Sequence, residues 1–257
     1  MCELFGVSAR RRIEVNDLLI EFFSHSVRHA NGWGMAFFYE NSVSLEKEPV
    51  QAVKSVYLKE RLRQKIAAKN LIAHIRLATR GNMEYVNCHP FVLRDSSGRC
   101  WTLAHNGTIF NYPRMDPYLY RQEGQTDSER ILYFLVDQID LRQRELGRSL
   151  TQEERFGLLD SLVGDMAQGN KLNLLVYDGE LMYVHTNYAN SLYFSAREDG
   201  MLFATTPLDR GNWTPHPFTT LCAYRDGQRL FQGTDHDREY RDNAEDMRMI
   251  FADYAGL

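Results

Sequence analysis

The order of strand-like and helix-like segments is the feature that most limits how this chain can fold. Short segments rich in aromatic and β-branched residues predict strands at 3–8, 35–40, 70–76, 100–105, 172–178, 181–186 and 201–205. The helical spacing of apolar residues predicts helices over 15–26, 56–69, 127–140 and 151–168. The strands come in clusters, and helices separate the clusters instead of following every strand. This order favours a layered α+β fold over a doubly wound parallel sheet.

Length and composition are those of an ordinary globular protein. The 257 residues contain no internal repeat, low-complexity stretch or Pro/Gly/Ser-rich linker, so we expect one domain over residues 2–257. A hydrophobic content of 44% and a charged content of 25% argue against disordered, collagenous and coiled-coil chains. No uncharged apolar run approaches the roughly 18 residues of a membrane span, and the first residues do not resemble a signal peptide. We therefore expect a cytoplasmic protein with no membrane partner.

The net charge and the motifs missing from the sequence limit which partners and cofactors are expected. The formal net charge is −4, so no basic field attracts phosphates, and nucleic acid is not an expected partner. The motifs of dinucleotide, triphosphate, zinc-protease and serine-hydrolase sites are missing, and no cofactor is expected. The cysteines and nearby histidines show neither a standard zinc spacing nor a disulfide framework, so no metal is expected; the cysteines are Cys2, Cys88, Cys100 and Cys222.

Cys2 has a chemical option that no other residue of the chain has. If Met1 is removed, one residue carries both a thiol and a free α-amine. An α-amine has a pKa of about 7.7–8.0, so it can accept the thiol proton and return it to a leaving group without a histidine. Two alternatives stay open. Cys2 could be a strand-start cysteine with no role, or a retained Met1 could convert the amine to an amide and remove the base.

An arginine ends the strand predicted at 70–76. Arg76 belongs to the segment HIRLATRG, which spans residues 74–81. A planar guanidinium at a strand end can donate two parallel hydrogen bonds to a carboxylate. Taken alone, Arg76 is more simply explained as a surface ion-pair residue, and His89 before Pro90 as a structural histidine.

The tripeptide His105-Asn106-Gly107 stands between two apolar runs. Local sequence rules favour a hairpin turn at Asn-Gly in this setting. The functional alternative is an oxyanion hole, because an asparagine amide and a glycine N–H can converge on one oxygen.

The tetrapeptide TDSE at 126–129 predicts a helix start. Thr126 and Glu129 have the spacing of a capping box, in which each side chain bonds to the backbone of the other residue. This leaves Asp127 available near the first helical turn, where a carboxylate is favoured and could receive a substrate ammonium.

Together and in this order, these elements resemble the glutaminase domain of class II glutamine amidotransferases, which are N-terminal nucleophile hydrolases. The elements are the cysteine after Met1, Arg76 with Thr79, NxHP at 87–90, HNG at 105–107 and TDSE at 126–129. The resemblance extends over residues 2–130 and is weaker beyond, where TTPL at 205–208 fits a late strand of the family. The length and Gly32-Trp33-Gly34 are most similar to the stand-alone members.

The resemblance implies a four-layer αββα sandwich of two antiparallel sheets and a small-molecule substrate. The implied reaction is hydrolysis of the side-chain amide of glutamine or a γ-glutamyl compound through a γ-glutamyl thioester, with release of glutamate and ammonia or an amine. The implied roles are nucleophile and base for Cys2, carboxylate binding for Arg76 with Thr79 nearby, an oxyanion hole for Asn106 and Gly107, and ammonium binding for Asp127.

Departures from the family pattern affect the side of the pocket that faces an acceptor. Asn31 stands where synthase-linked relatives have an acidic residue, and Arg80 stands where a histidine is frequent. A silent ligand-binding or regulatory domain, a glutaminase subunit that feeds a partner synthase, and a homo-oligomer stay open. A papain-like site at Cys100 lacks that family's flanking pattern.

The end of the chain bears on the acceptor. Met247, Ile250, Phe251 and Tyr254 share one face of a predicted terminal helix. Residues 131–257 are thereby used by predicted elements, which leaves no room for a synthase domain. We therefore expect water to be the acceptor.

Overall fold

Two β-sheets dominate the structure. The computed structural model describes residues 2–40, 42–78, 81–246 and 248–249. Its strands within these residues are β1 (Glu3–Glu14), β2 (Trp33–Tyr39), β3 (Ser42–Glu48), β4 (Ala67–Ile75), β5 (Phe91–Arg94), β6 (Cys100–Thr108), β7 (Lys171–Tyr177), β8 (Met182–His185), β9 (Tyr193–Arg197), β10 (Gly200–Ala204), β11 (Thr214–Pro215), β12 (Cys222–Arg225) and β13 (Gln228–Gln232).

Every neighbouring pair of strands is antiparallel. The first sheet has the order β11-β9-β10-β1-β4-β2-β3, with the N-terminal strand at its centre. The second sheet has the order β13-β12-β8-β7-β6-β5. Strands from distant parts of the chain are therefore direct neighbours in both sheets.

Helices cover the outer face of each sheet. The α-helices of the described residues are α1 (Asn16–Ser24), α2 (Val56–Arg63), α3 (Asp127–Leu146) and α4 (Gln152–Met166), and short 3-10 segments cover His25–Arg28, Ala52–Lys54, Tyr85–Asn87 and Pro113–Tyr120. Apolar residues of α1 and α2 pack with the first sheet, and those of α3 and α4 pack with the second. The result is the expected four-layer αββα sandwich.

A third apolar cluster lies between the sheets and defines their inner faces. It contains Leu4 and Ile72 from the first sheet and Ala104 and Leu175 from the second. Because side chains alternate along a strand, residues two positions away from these four point to the same inner space. This parity decides which candidate site residues face one another.

The structure corrects several predicted boundaries. The helix predicted over 56–69 ends at Arg63, because β4 begins at Ala67 and Ile66 is buried outside the helix. The helix predicted over 127–140 continues to Leu146. β3, β5, β9, β11, β12 and β13 were not predicted. The apolar face at Met247, Ile250, Phe251 and Tyr254 lies outside the described residues, and none of the described helices is long and apolar enough to cross a bilayer.

Candidate active site

Cys2 lies at the entrance of β1, beside the end of β4. By parity with Leu4, its side chain points to the space between the sheets. The register pairs Glu3 with Ile75, so Cys2 reaches the residues that follow β4. Its Sγ lies 3.3 Å from both the backbone nitrogen and the carbonyl oxygen of Leu77.

The environment of Cys2 favours the neutral thiol. Burial raises the pKa of the Cys2 thiol above its ordinary value; the Leu77 backbone contact and the Arg76 charge oppose this, and the Asp127 charge adds to it. Such a thiol is protonated at neutral pH and needs a base before it can attack. The effects of Arg76 and Asp127 on this thiol also indicate that both charges lie close to Cys2.

Arg76 follows β4 and is buried. Only 2% of its surface is exposed, so its interpretation as a surface ion-pair residue is wrong. Nη1 donates to the Asn82 carbonyl at 2.9 Å, and Nη2 donates to the Gly81 carbonyl at 2.8 Å. Desolvation lowers the pKa of the guanidinium, and the nearby Cys2, Cys88 and Asp127 oppose this. Arg76 therefore supports the turn after β4 and brings a positive charge to the site.

Asn31 holds the backbone around Arg76 in place. Its N–H donates to the Arg76 carbonyl at 3.0 Å, and its Oδ1 accepts from the Ala78 N–H at 2.9 Å. The residue that departs from the family's acidic position therefore supports the exit of β4. Thr79 and Arg80 lie outside the described residues.

Asn106 lies within β6, so the hairpin-turn interpretation of HNG is wrong. Asn106 pairs with Asn173 of β7, and the strand continues to Thr108. By parity with Ala104, its side chain faces the first sheet. Asn106 is buried, and within the described part of the chain its Oδ1 has no hydrogen-bond partner. An unpaired buried polar atom costs about 1–3 kcal/mol, which a ligand could recover.

Gly107 permits a close approach of β6 to β7. A Cβ added here would lie 2.7 Å from the carbonyl carbon of Lys171, closer still to its oxygen, and 2.5 Å from His105 Nε2. His105 fixes the same region, because its Nε2 contacts the Lys171 carbonyl oxygen at 3.1 Å and its Nδ1 contacts Ser128 Oγ at 3.0 Å. The carbonyl only accepts, so the hydrogen is on Nε2 and Ser128 donates to Nδ1.

Asp127 is the first residue of α3 and is buried. Its Oδ2 accepts from the Ile109 N–H at 2.7 Å, which joins the start of the helix to the chain leaving β6. Thr126 caps the helix by accepting from the Glu129 N–H at 3.2 Å. The Glu129 carboxylate instead accepts from the N–H groups of Glu123 and Gly124, so the predicted box is only half formed.

The structure thus brings Cys2, Arg76, Asn106, Gly107 and Asp127 to one end of the sandwich. Sequence reasoning missed the structural contacts made by Ser128 and Ile109. Ser128 is part of TDSE and Ile109 is the second residue after HNG, but the contact between these two segments depends on the packing of α3 on β6.

The remaining cysteines do not share this setting. Cys88 and Cys222 are buried, and Cys100 is partly exposed at the opposite end of β6 from Asn106. Burial raises the pKa of all three thiols, that of Cys88 to about 11. In the described ranges, no three His, Cys, Asp or Glu residues are grouped to hold a metal ion.

Comparison with known proteins gives consistent matches. A family model described as class-II glutamine amidotransferases matches residues 1–200. An Escherichia coli protein, provisionally named as a glutamine amidotransferase, is 31% identical over 236 residues, covering 87% of this chain and 89% of its own.

Two solved structures share the fold. A crystal structure titled as a predicted glutamine amidotransferase from Pseudomonas aeruginosa has a TM-score of 0.63 at 22% identity, covering 90% of this chain and 100% of its own. The glutamine phosphoribosylpyrophosphate amidotransferase of Bacillus subtilis has a TM-score of 0.64 at 18% identity, covering 89% of this chain and 48% of its own.

Proposed function

Because this chain belongs to the class-II glutamine amidotransferases, we propose that it hydrolyses the side-chain amide of glutamine or of a γ-glutamyl compound. The observation that carries the proposal is the Asn106 side chain, buried on the inner face opposite the sheet that bears Cys2, with its Oδ1 unpaired in the described residues. The oxygen and nitrogen of an amide exchange places by a half-turn about χ2, so the group can present its NH2 to a substrate.

The charged side chains at this end of the sandwich match the two charged groups of a γ-glutamyl substrate, its α-carboxylate and its α-ammonium. Arg76 supplies a buried positive charge for the α-carboxylate, and Asp127 supplies a negative charge for the α-ammonium. In a desolvated site such pairs are stronger than in water. When both charged groups of the substrate are bound, its side-chain carbonyl is directed toward Cys2 and the Asn106-Gly107 segment.

The chemistry proceeds in two balanced steps. Once Met1 has been removed, the α-amine of Cys2 takes the thiol proton while Sγ attacks the amide carbon, and the carbonyl oxygen becomes an oxyanion stabilised by Asn106 and Gly107. The C–N bond then breaks, and the amine returns the proton to the departing ammonia or amine. Water attacks the resulting thioester, gives one proton to the α-amine, and forms glutamate as the C–S bond breaks and the thiol is restored.

The test is glutamate release from glutamine by the purified full chain. Cys2→Ala should abolish turnover with an unchanged melting temperature, because only one sulfur is lost from a strand entrance. Cys100→Ala is the matched control, since it removes another partly exposed thiol and should retain turnover. Full activity of Cys2→Ala would refute the mechanism.

The state of the N-terminus gives an independent check. Intact mass of the active protein should show loss of Met1, since a retained methionine removes the base. Hydrolytic activity in a preparation that fully retains Met1 would contradict the role of the α-amine.

Water is the proposed acceptor. Glutamate and released ammonia should then appear in equal amounts with no added co-substrate. The second candidate is a glutaminase subunit of a larger synthase, favoured by the coverage of only 48% of the Bacillus subtilis amidotransferase chain. Strict dependence of turnover on a second protein or a phosphorylated acceptor would support that candidate.

A further inference from the structure

Asn87 lies between the two loops that adjoin the charged residues of the candidate site. It ends the 3-10 segment Tyr85–Asn87 and is fully buried, with 0% of its surface exposed. Its Nδ2 donates to the Asn82 carbonyl at 3.1 Å, and its Oδ1 accepts from the Gln125 N–H at 2.7 Å. One side-chain amide therefore joins the loop after β4 to the loop before α3.

The loop after β4 holds the Arg76 guanidinium. The Asn82 carbonyl that accepts from Asn87 also accepts from Arg76 Nη1 at 2.9 Å, and the Gly81 carbonyl accepts from Arg76 Nη2 at 2.8 Å. Gly81 has a φ of 77°, and a Cβ added to it would lie 3.1 Å from Asn87 Cγ. Asn87 thus contacts the loop at the two residues whose carbonyls bind Arg76.

The loop before α3 leads directly to Asp127. Gln125 stands two residues before Asp127, and its backbone N–H is the group that Asn87 binds. Gly124 packs against the same side chain, since a Cβ added there would collide with Asn87 Oδ1. The Gln125 side chain adds a second tie, because its Oε1 accepts from the Asn82 N–H at 2.9 Å. The two loops are therefore joined by two side chains, one from Asn87 and one from Gln125.

The two charged residues that these loops adjoin act on each other and on the nucleophile. The Asp127 charge opposes the lowering of the Arg76 pKa, and both charges act on the pKa of the Cys2 thiol. Their relative position matters to a γ-glutamyl substrate, because its α-carboxylate and α-ammonium are attached to one carbon atom.

We infer that Asn87 is a positioning residue that fixes Arg76 and Asp127 relative to each other, so that the site selects the L configuration of the substrate α-carbon. Asn87 acts through the two loops and has no contact with the reacting atoms in this role. The inference rests on the proposed function, but it concerns only how the α-amino-acid end of the substrate is bound.

The two enantiomers of glutamine test the inference because they carry the same charged groups. When the side-chain amide lies at Cys2, a change of configuration moves the α-carboxylate and the α-ammonium to different positions, so fixed partners fit only one enantiomer. The wild type should have a kcat/KM for L-glutamine at least about 30-fold higher than for D-glutamine, which is the effect of one lost charge contact in a desolvated site.

Asn87→Ala should reduce this ratio at least about tenfold, because a displacement of about 1 Å in a positioned group can cost about 100-fold in rate. The loss should fall on L-glutamine and leave D-glutamine within about threefold, since D-glutamine already lacks one of the two charge contacts. A purely structural role would lower both rates by the same factor. A ratio within about threefold of wild type in folded Asn87→Ala would overturn the inference.

Asn16→Ala is the matched control. Asn16 makes the same kind of bridge at the other end of β1, where its Oδ1 accepts from the Ile66 N–H at 2.7 Å and its Nδ2 donates to the carbonyls of Leu62 and Gln64. Its loss should lower the urea midpoint and leave the ratio of L- to D-glutamine turnover as in the wild type. An equal fall of the ratio in Asn16→Ala would show a general effect of loop loosening and overturn the inference.

Gln125→Ala covers the case in which Asn87→Ala does not fold. The Gln125 side chain is exposed, so its removal breaks the second tie to Asn82 without opening the core. The ratio of L- to D-glutamine turnover should fall at least about threefold. An unchanged ratio in Gln125→Ala would then overturn the inference.

Binding to Cys2→Ala distinguishes this inference from the proposed function. If the wild type hydrolyses neither enantiomer, but Cys2→Ala binds L-glutamine at least about tenfold more tightly than D-glutamine in calorimetry and adding Asn87→Ala removes this preference, the inference holds and the proposed reaction fails. If the wild type hydrolyses both enantiomers equally, the proposed reaction stands and the inference is overturned. Equal binding of the enantiomers to Cys2→Ala, or binding of neither, also overturns the inference.

Discussion

Replacing Asp127 by asparagine or by alanine separates its charge from its hydrogen bond. Asp127 Oδ2 accepts from the Ile109 N–H at 2.7 Å, and both residues are buried. Asparagine keeps an oxygen that can accept from Ile109 and removes the charge. Alanine removes both, so the two variants should differ in stability while both lose the negative charge needed for a substrate ammonium.

The expected magnitudes follow from these contacts. Asp127→Asn loses only the favourable position of a carboxylate at a helix N-terminus, about 0.3–1 kcal/mol of unfolding free energy. Asp127→Ala also leaves the Ile109 N–H without its partner, which adds about 1–3 kcal/mol. Loss of the charge contact with a desolvated ammonium costs about 2–5 kcal/mol in either variant, or roughly 30- to 4,000-fold in kcat/KM for glutamine.

Two measurements separate these effects. Urea denaturation gives the unfolding free energies, and glutamate release from glutamine gives kcat/KM for the folded fraction. Thr151→Ala is a control at another helix cap, far along the chain from the site, and should reduce stability without changing kcat/KM. If Asp127→Asn retains glutamine turnover within about threefold, Asp127 serves only to hold Ile109, and its role toward the substrate is refuted.

Three further predictions follow from the structure. Gly107→Ala should abolish turnover, because the added Cβ would collide with the Lys171 carbonyl. Gly157→Ala in α4 is the control: its Cβ would contact no other atom, and the change should stabilise the protein by about 0.5–1 kcal/mol. Normal turnover in Gly107→Ala would contradict the close approach of β6 to β7. Arg76→Ala should lower kcat/KM for glutamine by at least about 30-fold, measured on folded protein, and an effect of only twofold would argue that Arg76 merely supports its turn. Stability should fall between pH 7.5 and 5.5 by about 1.4 kcal/mol for each of the four buried histidines whose pKa lies far below its ordinary value, which are His74, His89, His185 and His216. The reason is that the unfolded chain takes up protons below about pH 6.5 while the folded one does not. An unchanged urea midpoint over this range would contradict the prediction.

The layered α+β class could be predicted because strand clustering is a property of local composition. Which strands are neighbours could not be predicted from local composition, since Asn106 pairs with Asn173 from a distant part of the chain. The same pairing explains the error at HNG, where the local preference for a turn yields to a ladder formed with β7. β3 was missed because its sequence, SVSLEKE, has only two apolar residues and ends in three charged ones, which an edge strand can leave in contact with water.

The candidate site was accessible from sequence only where residues lay in compact motifs. Cys2, Asn106 and Asp127 are of this kind. The burial of Arg76 was not visible, because it depends on the carbonyls of Gly81 and Asn82 folding back over the guanidinium.

Burial at this end of the sandwich has two opposing effects on the proposed reaction. It raises the pKa of the Cys2 thiol, which makes the nucleophile harder to ionise. It also lowers the local dielectric, so that charge pairs gain about fourfold in strength when the effective value falls from about 80 to about 20. An α-amine on Cys2 itself would resolve the first effect, because the base moves with the nucleophile and becomes neutral near pH 8. The second effect then acts on Arg76 and Asp127, so the two charged groups of a γ-glutamyl substrate would gain from the same desolvation that the thiol must overcome.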